Sequence, residues 1–208
     1  MKPLIIIGDG GHAEVLIDMA MRCGRKILGV TSLNKSVNSM VAGLPVLGRD
    51  AILANYSQHE VELINGIGSA DLPLLRASIF ASLKEKEYKF ATLIHPSAIL
   101  SSSVVIGEGA QILAGAILQT GSHIGINTII NSGAIVEHHG KIGDNCHLAP
   151  RVVCSGGVTV GNKCHIGVGA ILIQGITLED EVLVAAGAVV IKNISSRQRV
   201  KGVPAHPF

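Results

Sequence analysis

The sharpest chemical feature of the chain is a pair of adjacent histidines in Val136-Glu137-His138-His139-Gly140. Imidazole is the side chain whose ordinary titration lies near neutral, so the chemistry open to such a pair is proton transfer or metal ligation. In an arbitrary fold a lone histidine is as often a satisfied structural group. His147 and His165 fall later in the chain. No His-x4-His spacing, the pattern of metal-binding β-helical enzymes, occurs, so no metal is expected. Near the start, Gly8-Asp9-Gly10-Gly11-His12-Ala13 has the loose G-x-G-x-x-A form of a dinucleotide loop.

The histidine pair lies in a stretch where apolar residues recur at every sixth position. From Ile94 the steps reach Leu100, Ile106, Ile112, Leu118 and Ile124, pass Val136, Leu148, Ile166 and Leu178, and end at Val190. Two residues before each stands a small or β-branched residue, such as Ala98, Ala116, Ala134, Cys164 or Ala188. Such a repeat outranks any single motif as evidence of fold. Three hexapeptides make one triangular coil of about 18 residues, the aliphatic stacks inward, and the small residue fits the crowded corner. The reading is a left-handed parallel β-helix over residues 91–208, of roughly five to six coils and without a long excursion loop. Gly107, Asn127, Gly143, Asn145, Gly161 and Asn162 are expected at turns with unusual backbone angles. In this register Val136 faces inward and Gly140 takes a corner, so Glu137, His138 and His139 point outward. His138 is then either a surface histidine or a functional one that a packed subunit would enclose. His147 and His165 should stack on one face.

Residues 1–90 follow a different grammar. Leu4 to Ile7, Ile27 to Val30 and Val61 to Ile67 read as strands. Ala13 to Cys23 reads as a helix with Val15, Leu16, Met19 and Ala20 on one face. Asp71 to Lys86 reads as a second, with Leu74, Leu75, Ile79 and Leu83 inward. Alternating strands and helices imply a small Rossmann-like parallel sheet. The glycine loop follows the first strand and opens a helix, which suits a phosphate. A dinucleotide would need an acid at the end of strand two. Gly29-Val30-Thr31-Ser32 stands there, so a nicotinamide cofactor is disfavoured.

Composition agrees with the repeat. The chain has 208 residues, 48% apolar but only 2% aromatic, with 25 glycines and 7 prolines. A core with so few rings must be narrow and aliphatic. A net charge of +2 gives no field for nucleic acid or anionic lipid. No apolar run approaches the ~20 residues of a membrane span. The opening apolar run breaks at Gly8 and reads as a strand, not a signal peptide. Four cysteines without a C-x-x-C pair fit free thiols in a reducing cytoplasm.

Several stretches resemble the PglD/NeuD-type sugar acetyltransferases over nearly the full length. They are IIIGDGGHAEV, LIHPSAIL, VEHHGKIGDNCHLAP and GVPAHP. The resemblance implies a nucleotide-sugar-binding N-terminal domain, an acetyl-CoA-binding catalytic β-helix and a homotrimer. It implies His138 as the general base that removes the acceptor's proton, and the Gly156 amide as the oxyanion donor. Family members carry an acid after the base. His139 stands there, so Glu137 substitutes or the base is weaker. His147 is expected at the pantetheine arm, and Val168 and Ala186 along the CoA groove. Arg197, Arg199 and Lys201 either meet the CoA phosphates or form a solvated tail. Gly10, Gly11, His12 and Gly68 are expected to contact the nucleotide sugar. Members also carry acids after strand two. Thr31 and Ser32 take those places at the substrate edge, which weakens the case for a UDP-linked substrate and leaves room for another nucleotide sugar or a sialic acid. The expected activity is N-acetylation of a nucleotide-linked amino-deoxysugar. The alternatives are O-acetylation of a sialic acid and non-catalytic sugar-nucleotide binding.

Overall fold

A computed structural model describes all 208 residues. The chain opens with β1 (Leu4–Ile7), α1 (Gly11–Arg22), β2 (Ile27–Thr31), the hairpin β3 (Met40–Val41) and β4 (Leu44–Gly48), and a 3-10 helix over Asp50–Asn55. β5 (Glu62–Asn65) and α2 (Leu74–Glu85) follow. The strands form one sheet in the order β3-β4-β2-β1-β5, parallel except for β3. All of β1 is buried, as expected for a central parallel strand covered on both faces. The hairpin was not legible in the sequence. Its Ala42-Gly43 turn has positive φ at both residues, the two-residue hairpin geometry, without the Asn-Gly signal that announces it.

The spacing places most of the inner face of α1 correctly, missing at Val15, and departs further in α2. In α1 Val15 is exposed, and Ala13, Leu16, Ile17, Met19 and Ala20 form the inner face. In α2 Leu74 and Leu75 are exposed, and Arg76, Phe80 and Leu83 are buried. The reason is Arg76, which no apolar pattern would place inside. Its Nε donates to Asn127 O, and its Nη1 donates to Asn65 O and Ile67 O. The guanidinium thereby joins the end of β5 to the β-helix. Burial pulls its pKa down to about 9.

From Leu93 onward two-residue strands recur on three faces of a prism. The first face contains Gln111–Ile112, Ile129–Ile130, His147–Leu148, His165–Ile166 and Leu183–Val184. The second runs from Ile99–Leu100 to Val189–Val190, and the third from Val105–Ile106 to Thr177–Leu178. Each strand pairs in parallel with its equivalent one coil away, for example Ile135 with Val153. The second residue of each strand and the small residue before it form one continuous core, including Ala134, Val136, Val152 and Cys154. The prism is the left-handed β-helix that the six-residue period requires.

The left-handed backbone lies elsewhere than expected. Positive φ recurs every six residues, at Gly121, Asn127, Gly133, His139, Asn145 and Arg151 among others. Asn127 and Asn145 are therefore confirmed, whereas Gly107, Gly143, Gly161 and Asn162 are not left-handed. Gly143 is required by close approach of coils instead. A Cβ there would lie 2.7 Å from the Gly161 carbonyl carbon. Asn162 acts through its side chain, whose Oδ1 accepts from the Asp144 amide.

The N-terminal domain sits on the first face. Ala13, Leu16 and Ile64 share a core with Leu93, Leu113 and Ile129 of the β-helix. The second face is uncovered. Its outward column, Ile99, Ile117, Ile135, Val153, Ile171 and Val189, is wholly aliphatic and only partly buried or exposed. No helix of the chain is long and apolar enough to cross a membrane. All four cysteines are free.

Candidate active site

His138 and His139 occupy the corner between the second and third faces, and both are exposed. Val136 is fully buried beneath them. The corner closes over it only because residue 140 is glycine. A Cβ there would lie 2.5 Å from Val136 Cγ1. The His138 ring extends over the next coil. A Cβ on Gly156 would lie 2.5 Å from His138 Nε2 and 2.6 Å from its Cε1. Gly156 is therefore the platform on which the imidazole rests. At the corner between the third and first faces, the Asp144 and Asn162 amides donate to side chains one coil on, Asn162 Oδ1 and Asp180 Oδ1. The Gly156 amide donates to no protein acceptor, which leaves it available to a developing oxyanion. His138 Nδ1 lies 3.1 Å from His139 Nδ1, with the rings edge-on. Glu137 makes no hydrogen bond to either ring.

A cavity of about 510 Å³ lies at the other edge of the second face. It is lined by Val168 and Ala186 at the corner between the first and second faces, by His147 and His165 on the first face, and by Ser69 and Asp71 of the N-terminal domain. The expected cofactor residues His147, Val168 and Ala186 thus come together. His138 and Gly156 are separated from them within one chain by the width of the second face.

His147 and His165 pair in register, with ring centroids 5.1 Å apart and nearly perpendicular. The tautomer of His147 is fixed by its neighbours. Asn131 Oδ1 accepts from the Ser132 amide, so Asn131 Nδ2 donates to His147 Nε2 at 3.0 Å. The His147 proton is then on Nδ1, facing Ser69 O at 3.1 Å and Ser69 Oγ at 2.8 Å. Both ring nitrogens are committed. His147 therefore presents a ring edge to the cavity rather than a free nitrogen. Burial, with smaller contributions from His165, His12 and Arg76, pulls its pKa down to about 3. Burial likewise lowers His165, and Asp71 opposes it. His12 is lowered to about 4 by burial and by Arg76, against the opposing bond to Gln111. Burial thus favours the neutral form of all three imidazoles, and of the three, His147 and His165 line the cavity.

Gly10 is the N-cap of α1 and Gly11 its first residue. A Cβ on either would meet nothing within 4 Å, so the fold itself does not demand glycine there. The bare helix N-terminus is open to an anion. His12 Nε2 donates to Gln111 Oε1 at 2.8 Å, because Gln111 Nε2 already donates to Asn65 O. Gly68 packs on His12, with a Cβ there 3.2 Å from the His12 Cβ.

A second crevice, about 140 Å³, opens at the carboxyl ends of the sheet. It contains Gly8, Asp9, Thr31, Ser32 and Asp50, and Leu75 and Ile79 line its wall. This gives the exposed side of α2 a purpose that the helical pattern misassigned. Thr31 and Ser32 are buried and their hydroxyls are already used. Thr31 Oγ1 accepts from the Gly8 amide and donates to Asp50 at 2.5 Å. Ser32 Oγ donates to Asp9 and accepts from the amides of Asn34 and Lys35. Two carboxylates from other elements, Asp50 and Asp9, thus stand at the end of β2, held by Thr31 and Ser32. Sequence reasoning missed Asp50 because it lies nearly twenty positions from the strand end it serves. It missed Ser69 because nothing in the chain relates it to His147.

The C-terminal cations are engaged within the protein. Arg199 makes a two-pronged contact to Asp71 at 3.0 and 3.2 Å, bridging the N-terminal domain and the last coil. Arg197 bonds Glu181, and Lys201 lies over the Phe208 ring.

Residues 3–90 match the family described as the PglD N-terminal domain. Among curated proteins, UDP-N-acetylbacillosamine N-acetyltransferase of Bacillus subtilis (strain 168) is 36% identical over 131 residues, 55% of this chain and 52% of that protein. The matched stretch thus spans about half of that relative's length. Among solved structures, perosamine N-acetyltransferase from Caulobacter crescentus, a histidine-to-asparagine variant with CoA and GDP-perosamine, superposes with a TM-score of 0.94. It is 34% identical, with 100% of this chain and 97% of that one covered. The acetyltransferase domain of PglB from Neisseria gonorrhoeae FA1090, in complex with acetyl coenzyme A, gives 0.92 at 30% identity, covering 100% and 99%.

Proposed function

The chain belongs to the PglD-type sugar acetyltransferases, and on that footing we propose that it transfers acetyl from acetyl-CoA to the amine of a nucleotide-linked amino-deoxysugar. The single observation that carries the mechanism is the His138 imidazole resting on Gly156, base and free amide side by side. The amine attacks the thioester carbonyl and passes its proton to His138 Nε2. The Gly156 amide receives the oxyanion. The C–S bond then breaks, and the proton held on Nε2 goes to the departing thiolate. In this reading residues 1–90 hold the nucleotide sugar and residues 91–208 hold acetyl-CoA and do the chemistry. The phosphates lie at Gly10 and Gly11, and the nucleoside lies in the crevice at Asp9 and Asp50. Two of the named relatives are N-acetyltransferases, and one of these is solved with CoA and a nucleotide sugar. Neither sialic-acid O-acetylation nor non-catalytic binding has comparable support. Acetyl-CoA and a nucleotide sugar as substrates, with free thiols in the chain, fit a cytoplasmic enzyme.

The exposed aliphatic face of the prism supports a homotrimer. The second face is aliphatic and uncovered, and its two edges are the cavity corner and the His138 corner. Three copies packed with second faces toward a common axis bring the His138 corner of each against the cavity corner of the next. The two halves of the site, apart in one chain, then meet between chains. Ile135→Lys should give a folded monomer without transfer activity, measured by sedimentation equilibrium and thiol release.

His138→Ala tests the chemistry. The variant should keep its melting temperature and lose about 10²- to 10⁴-fold in release of CoA thiol. Wild-type turnover in the folded variant would remove His138 from the mechanism.

A further inference from the structure

We infer that His139 is a positioning residue that fixes the tautomer of His138, so that a histidine pair replaces the histidine–carboxylate pair by hydrogen bonding alone. The inference rests on His138 being the base.

The argument starts from the 3.1 Å contact between the two Nδ1 atoms. A hydrogen bond between ring nitrogens needs one that carries a proton and one that is bare. A base acting through Nε2 must have that atom bare, and Nε2 of His138 is the nitrogen that lies over Gly156. The His138 proton must then be on Nδ1 and be donated to His139. The His139 Nδ1 must be bare, and its own proton must sit on Nε2. His139 is held for this role from two sides. Its backbone is left-handed, with φ +58. Its ring rests on Gly121, where a Cβ would lie 2.9 Å from His139 Cδ2. Gly121 on the preceding coil and Gly156 on the following one seat the two rings.

No other group competes for the His138 Nδ1. Glu137 makes no bond to either ring. His123 Nδ1, on the coil below, is turned to Gly121 O at 3.1 Å. Lys141, on the strand that follows, is exposed and has no ion-pair partner.

During transfer the amine proton moves to His138 Nε2 as the C–N bond forms. It moves on to the thiolate as the C–S bond breaks. His139 keeps its own proton throughout. Protonation of His139 Nδ1 would destroy the acceptor. Both rings must therefore be neutral for His138 to be poised, whereas a carboxylate partner demands only one neutral ring.

Two measurements on the intact protein test this. In histidine-¹⁵N-labelled enzyme above neutral pH, His138 should carry its proton on Nδ1 and His139 on Nε2. A His138 proton on Nε2 would overturn the inference. In pH–rate profiles, His139→Asp should show an acid limb one proton less steep than wild type, with the acceptor amine's own ionisation common to both. That limb should also move to higher pH, because a carboxylate raises the basicity of His138. Aspartate tolerates the left-handed backbone. His139→Gly, which the same backbone accepts, should lose roughly 10- to 100-fold in kcat with KM for acetyl-CoA unchanged. Equal limiting slopes in wild type and His139→Asp, or wild-type kcat in His139→Gly, would refute the positioning role. Turnover surviving His138→Ala would refute the base assignment itself. A wrong His138 tautomer in an enzyme that still needs His138 would refute only the pairing.

Discussion

The β-helix and the N-terminal domain reveal their working residues in opposite ways. In the β-helix every position has an equivalent on the next coil. At the corner between the third and first faces, the amides of Ile126, Asp144 and Asn162 each donate to a side chain one coil on, Asp144, Asn162 and Asp180 in turn. At the corner between the second and third faces the amides of Thr120, His138, Gly156 and Gln174 are all free, but only Gly156 lacks a side chain, and an imidazole lies on it. The site is visible as a departure from a repeated rule. The N-terminal domain has no such internal reference. Asp50, Ser69 and Arg76 each carry a specific contact there, yet none stands out from its neighbours in the chain. Repetition makes function legible as an exception, and a single-copy domain gives no background against which an exception can be seen.

The largest expected effect separates two glycines of the β-helix that look alike in sequence. Gly156→Ala places a methyl 2.5 Å from His138 Nε2, and its three nearest neighbours are all atoms of that ring rather than backbone. The imidazole swings away while the coil stays closed. Transfer should fall by about 10²- to 10⁴-fold, the order of a general base's contribution, with little change in melting temperature. Gly143→Ala directs its methyl into the backbone of the next coil, 2.7 Å from the Gly161 carbonyl carbon. It should lower the melting temperature strongly. Equal melting losses for the two variants would break the distinction between a functional and a structural departure.

The same contrast explains what was legible beforehand. The period placed Val136 inside and His138 outside because inward stacking is enforced at every coil, and no neighbouring choice can override it. The turn glycines were misread because two causes, positive φ and close approach of coils, select the same residue. Gly143 and Asn145 show one of each. In α2 the apolar spacing pointed to Leu74 and Leu75, but the inner stripe is built around Arg76. Its burial is favoured by three carbonyl acceptors, Asn127 O, Asn65 O and Ile67 O, that come together only in three dimensions. Asp9 and Asp50 reach the end of β2 from other elements, which the residues that follow β2 in the chain could not disclose.

The junction between the two regions should be the acid-sensitive part of the molecule. His12 and His147 lie there with pKa values of about 4 and about 3 in the folded chain. The unfolded chain takes up protons near pH 6.5. The folded state refuses them until the pH reaches its own lower values. Stability is therefore full above about pH 6.5 and is lost as the pH falls toward 4 and then 3, by up to about 1.4 kcal/mol per pH unit for each histidine. Melting temperatures between pH 7.5 and about 4.5 should fall steeply in wild type and less steeply in His147→Gln. A flat profile in wild type would mean that these imidazoles are hydrated and that the junction is open.

The smallest effect bears on the region without repeats. If Thr31 and Ser32 work by presenting the acids of other elements, Asp50→Asn should weaken nucleotide-sugar binding by about tenfold, roughly the 1.4 kcal/mol of one charged hydrogen bond. The amide can still accept from Thr31 Oγ1, so the crevice keeps its shape and loses only its charge. Acetyl-CoA binding should be unchanged, because its proposed groove lies on the β-helix. Calorimetric titration with each substrate separates the two. A loss for both would make Asp50 a structural element, and no loss for either would move the nucleoside out of this crevice. A loss confined to the sugar nucleotide would show that the single-copy domain uses residues far apart in sequence where the β-helix uses neighbouring coils.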